Sequence, residues 1–113
     1  MKILKSYKPA SQKTATDTLN QLKSSIGAVS VITPSTIAQT IFAANNDRRG
    51  FFLFNDTNKD AFIKLAASPT TSSFSFKIGP GGFYERELTN YLGIVTAIWG
   101  SAAIGSLYAT ELT

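Results

Sequence analysis

An all-β fold is predicted: an antiparallel β-sandwich or jelly-roll-like domain of about eight short strands behind an extended or partly helical N-terminal arm. Three observations predict it. From Gly27 onward, apolar and β-branched residues alternate in short runs. Turn residues interrupt those runs at intervals of about ten positions. The composition is 43% apolar but only 16% charged, so the surface relies on Thr, Ser and Asn, as in β-rich proteins. At 113 residues the chain suits one domain with a single core.

Residues 1–26 are assigned to the arm and residues 27–113 to the sandwich. In the arm, Pro9 blocks early regular structure, and Leu19, Leu22 and Ile26 recur at a weak helical spacing behind a candidate N-cap at Thr16 or Asp17. If extended instead, the segment reaches on the order of 80 Å. Ala28–Thr33 and Thr36–Phe42 are the first strands, separated by Pro34, which cannot sit in a central ladder. Gly50–Phe54 and Ala61–Leu65 flank Asn55–Asp60 and read as a hairpin around a polar turn.

Ser73–Ile78 alternates, with Phe74, Phe76 and Ile78 expected on one face. Gly79-Pro80-Gly81-Gly82 is the strongest turn, because glycine supplies positive φ and proline fixes its own. Phe83–Glu87, Gly93–Trp99 and Ser106–Leu112 follow, the last two divided by a small-residue turn at Gly100–Gly105. Phe51, Phe52, Phe54, Phe62, Phe74, Phe76, Phe83 and Trp99 fall on strand positions and are expected to form the core. Each contributes about 1.5–3 kcal/mol when buried. Adjacent Phe51 and Phe52 must point to opposite faces, leaving one for exposure or a subunit contact.

Few residues suit catalysis. The chain has no cysteine and no histidine, which removes thiolate chemistry, disulfides and the commonest general base and metal ligand. Asn55–Asp60 is rich in oxygen, but Lys59 and Ala61 break the spacing of a calcium loop. Glu85 and Glu87 share a strand face and read as solvated, with Arg86 opposite. Gly79–Gly82 lacks the Lys-Ser/Thr of a phosphate-binding loop. Neither an enzyme nor a cofactor or metal is expected. No stretch approaches the roughly 18–20 apolar residues of a membrane span, and no apolar region follows the N-terminal lysines as in a signal peptide. A soluble chain beginning at Met1 is the expectation.

Charge is confined to one end. Lys2, Lys5, Lys8, Lys13 and Lys23 against Asp17 leave +4 by residue 23, whereas the remainder carries six cations and six anions. A basic arm on a neutral body suits docking onto an acidic surface; the other reading is solvating lysines on a frayed terminus. The arm candidates are Lys2, Lys5, Lys8, Lys13, Leu19, Leu22 and Lys23.

Arg48-Arg49-Gly50, Asn55-Asp56, Phe62-Ile63-Lys64-Leu65, Gly81-Gly82-Phe83-Tyr84-Glu85 and Ala97-Ile98-Trp99 occur in an order that resembles a group of small tailed-bacteriophage virion proteins. The resemblance spans Ala44 to Leu112 and leaves residues 1–25 unmatched. It implies a non-enzymatic structural sandwich, closest to capsid decoration (cement) proteins, which are often trimeric and held by terminal arms. The implied partners are the major capsid protein or other virion proteins and further copies of the chain. The implied location is the virion, with assembly in the host cytoplasm. Arg48, Arg49, Phe51 and Ile104 are the candidates for self-association. A tail, neck-adaptor or fibre-associated module is the first alternative. A single-stranded nucleic-acid-binding barrel, using the aromatics and the basic arm, is the less favoured second.

Overall fold

The computed structural model describes residues 26–86 and 91–113. The arm candidates, the predicted helix of residues 16–25 and Glu87 lie outside the described residues. Eight strands follow: β1 (Gly27–Ile32), β2 (Gln39–Phe42), β3 (Gly50–Thr57), β4 (Ala61–Lys64), β5 (Phe76–Ile78), β6 (Phe83–Arg86), β7 (Val95–Trp99) and β8 (Gly105–Leu112). They form two four-stranded antiparallel sheets, ordered β1-β8-β3-β6 and β2-β7-β4-β5.

Alternation sets the interior. In β3, Phe51, Leu53, Asn55 and Thr57 are buried while Phe52, Phe54 and Asp56 are exposed, the period of two that a half-buried strand requires. Leu107 and Ala109 of β8 continue that inner face. Ile41, Phe42, Ala61, Ile63, Ile78, Val95, Ala97 and Trp99 come from the second sheet and belong to the same core cluster. Contacts between the sheets are specific. The Phe42 and Phe51 rings meet edge to face at 5.5 Å, and Phe76 stacks on Tyr84 at 4.0 Å. The indole Nε1 of Trp99 donates to Thr57 Oγ1 at 3.2 Å.

The expected hairpin between Gly50–Phe54 and Ala61–Leu65 is corrected. β3 runs on to Thr57, and β4 lies in the other sheet, so the intervening residues carry the chain across the sandwich. Asn55 explains how. Its side chain points inward and donates to Lys59 O (2.9 Å) and Ile78 O (2.7 Å), while its Oδ1 accepts from the Thr57 hydroxyl at 2.7 Å. These bonds replace the ladder that a hairpin would supply, and they tie the bend to β5. The Gly79–Gly82 turn crosses likewise, from β5 to β6, with Gly81 at φ 78° and Gly82 N bonded to Gly79 O at 2.9 Å. Among the described strands, only β4 and β5 are consecutive in both sequence and sheet.

The aromatic core is smaller than expected. Phe51 and Trp99 are buried, but Phe52, Phe54, Phe74 and Phe83 are exposed, and Phe62 and Phe76 are half-buried. The space between two sheets is about 10 Å deep and is already filled from the inner strand phase by Phe42, Phe51, Trp99 and aliphatic side chains, so the opposite phase turns its rings outward. Phe74 does not share the face of Phe76 and Ile78, because β5 begins only at Phe76. Its ring packs instead on Phe62, 5.0 Å away.

Candidate interaction surface

The outer faces of the two sheets differ. Over the second sheet, residues 65–75 fold back and are fastened down. Thr96 Oγ1 donates to Ala66 O at 2.6 Å, and Lys64 Nζ donates to Ser73 Oγ (2.9 Å) and Ser68 O (3.3 Å). The Leu65 amide donates to Ser75 Oγ at 2.9 Å. Phe62, on the same side, is sheltered by Phe74 and by Lys77, whose ammonium lies 5.7 Å from the ring centre. Thr96 is consequently buried although it points away from the core.

No described segment covers the first sheet in this way. Register places Val31, Tyr108, Phe54 and Phe83 side by side across all four strands. The next row outward on the same face is Val29, Thr110, Phe52 and Glu85. Val29 is 62% exposed, Val31 60% and Phe83 69%. Phe54 and Tyr108 support one another at 6.4 Å with nearly parallel rings. The described side chains of this face include two carboxylates, Asp56 and Glu85, and no cation. Contiguous apolar exposure on this scale marks an interaction site more often than a solvated surface.

The self-association candidates separate. Arg48 and Phe51 are inside the protein, each 1% exposed, so neither meets a second copy while the fold is intact. The Arg48 guanidinium donates from Nε to Glu111 (2.9 Å), from Nη1 to Tyr91 O (2.7 Å) and Gly93 O (2.9 Å), and from Nη2 to Ala43 O (2.8 Å). It also lies against the Phe42 and Phe51 rings. A buried cation is tolerable only when it is paired and hydrogen-bonded, and this one joins four separate chain segments. Arg49 is half-buried. Ile104 is 78% exposed, on a loop pinned by Asn58 Oδ1 accepting its amide at 2.8 Å.

A polar depression of about 310 Å³ is lined by Asn46, Asp47, Arg48, Arg49 and Thr113. The Arg48 guanidinium among them is committed to the frame. Among the described residues no three His, Cys, Asp or Glu side chains gather as a metal site. No described helix is long and apolar enough to cross a membrane.

Of this face the sequence singled out only the Phe51–Phe52 pair, one of which had to face outward, and that one is Phe52. Val29, Val31, Phe54, Phe83 and Tyr108 were not among the sequence candidates; for Phe54 the signal is that Phe51-Phe52-Leu53-Phe54 is apolar without alternation, the mark of a strand with something on both faces. No family model, curated protein or solved structure matches this chain.

Proposed function

We propose that this chain is a non-enzymatic structural protein of a bacteriophage virion. Its closest role is that of a capsid decoration protein that rests on the head surface and reinforces the shell. The observation that carries this reading is the uncovered apolar face of the first sheet, with Val31, Tyr108, Phe54 and Phe83 in one row. Buried polar groups such as Arg48, Asn55 and Thr96, by contrast, are all used in holding the frame.

Two features support it further. Strand orders β1-β8-β3-β6 and β2-β7-β4-β5 support a jelly-roll reading of the two sheets, with eight strands wrapped as two Greek keys. The motifs behind the virion resemblance fall on frame positions: Arg48 as the buried anchor, Asn55 at the crossing, Gly81-Gly82 in a turn and Ala97-Ile98-Trp99 in β7. Residues 1–26, which hold the whole excess of positive charge, serve in this reading as the docking arm, ordered against an acidic shell at an entropic cost. The aromatic face suits a protein surface better than nucleic acid, because its carboxylates repel phosphate and no described cation offsets them.

Addition of the full chain to purified expanded heads tests this. Saturable binding in many copies over the shell, weakened by Phe54→Ser with Phe83→Ser and lost on deleting residues 1–25, is expected. Binding confined to a neck or tail ring would move the protein to that part of the virion. Steeply salt-dependent binding to single-stranded DNA with no uptake by heads would sink the structural reading.

A further inference from the structure

We infer that β1 is a pairing edge for a second copy of this chain, so that two sandwiches join through antiparallel β1 strands into a continuous eight-stranded sheet. The inference does not depend on a virion role.

Free edges of a sheet expose unpaired N–H and C=O groups, and proteins guard them with charge, bulges or brevity. Among the described strands, three of the four edges are guarded. β2 has four residues and a register shift between Thr40 and Phe42. β5 has three, with Lys77 facing Asp60 at 4.0 Å. β6 carries the exposed Glu85. β1 has none of these devices: Gly-Ala-Val-Ser-Val-Ile is regular over six residues, uncharged and free of proline. It is also exposed along nearly its whole length on both sides, which is unusual for so β-branched a strand.

The hydrogen-bond phase identifies which groups are available. Thr113 N donates to Ile26 O at 2.9 Å, in the same register as the β1–β8 ladder. That makes the pair Ile26–Thr113 a hydrogen-bonded one, and antiparallel pairs alternate. Ala28, Ser30 and Ile32 therefore turn their amides and carbonyls toward β8, while Gly27, Val29 and Val31 turn theirs to the open edge. The other side of β8 agrees: Asn58 N bonds Ile104 O, placing the even-numbered β8 residues toward β3.

These observations favour a second copy over another occupant. The edge bears no charge with which to select a basic or acidic peptide, whereas a copy of itself offers the same neutral, β-branched pattern. Val29 and Val31 also lie on the outer face, so pairing of the outward-bonding residues sets the apolar faces of two molecules side by side. Because each described domain has one unguarded edge, two-fold pairing closes as a dimer and does not propagate.

The test is the mass of the full chain by sedimentation equilibrium, with amide exchange at Val29 and Val31. The wild type is expected at twice the 12.2 kDa chain mass, with both amides protected more strongly as concentration rises. Val31→Pro removes an outward amide without touching the β8 ladder, and Val29→Lys places a charge on the edge. Each variant should be monomeric with an unchanged β-sheet circular dichroism spectrum. Should the proline variant not fold, the lysine variant and the exchange data decide. A monomeric wild type, or a dimer or trimer that both folded variants leave intact, overturns the inference. Concentration-independent protection in a monomer, lost on deleting residues 1–25, would assign the edge to the N-terminal segment and overturn it equally.

Discussion

The two sheets of this sandwich share one core but finish their outer faces in opposite ways. The second sheet lays residues 65–75 over Phe62 and Thr96 and fastens them with hydroxyl and ammonium hydrogen bonds. The first sheet spreads aromatic and β-branched side chains across four strands and leaves them open. Apolar groups that a chain covers itself serve its own stability. Those it leaves uncovered in a contiguous row contribute little to that stability and, on the reading proposed above, are what a partner would bury.

Substitutions rank accordingly. The largest effect is expected at Arg48, which belongs to neither outer face but holds both sheets in place. Arg48→Met leaves the Glu111 carboxylate and three carbonyls without their donor, and should cost about 3–5 kcal/mol in denaturant unfolding. Next comes the matched pair that probes the contrast directly. Phe62→Ser, on the covered face, should destabilise by about 1–3 kcal/mol. Phe83→Ser, on the open face, should stay within about 0.5 kcal/mol while weakening attachment to a partner. Equal costs would erase the distinction between the faces. Thr96→Val should cost about 1 kcal/mol through loss of its bond to Ala66 O. Its sharper readout is faster proteolytic cleavage within residues 65–75. Gly105→Ala is a separate check on the frame, since Gly105 sits at φ 113° and an added Cβ would strike the Asp56 carbonyl oxygen. Its midpoint in a thermal melt should fall clearly below that of Phe83→Ser.

Much of this frame is legible in the sequence. Strand positions follow from period-two runs and from turn residues, both local signals, and all eight expected strands are present with shifted ends. Sheet membership was not local. Asn55–Asp60 and Gly79–Gly82 announce a change of direction, but a turn residue does not specify whether the chain returns beside itself or crosses to the opposite sheet. That choice rests on Asn55 meeting Ile78 O, a contact between residues far apart in sequence. The same holds for Arg48, whose burial depends on carbonyls of Ala43, Tyr91 and Gly93 that no pattern near it reveals. The outward aromatics were visible as strand residues but not as surface, because hydrophobicity alone does not tell an inner phase from an outer one when both are apolar.

Hydrogen–deuterium exchange of the full chain, free and bound to purified heads, tests the contrast between the faces most directly. Slower exchange on binding is expected in peptides covering 27–32, 50–57, 83–85 and 105–112, with residues 61–78 unchanged. Protection of 61–78 with the first sheet unaffected would contradict the assignment of the open face as the working surface.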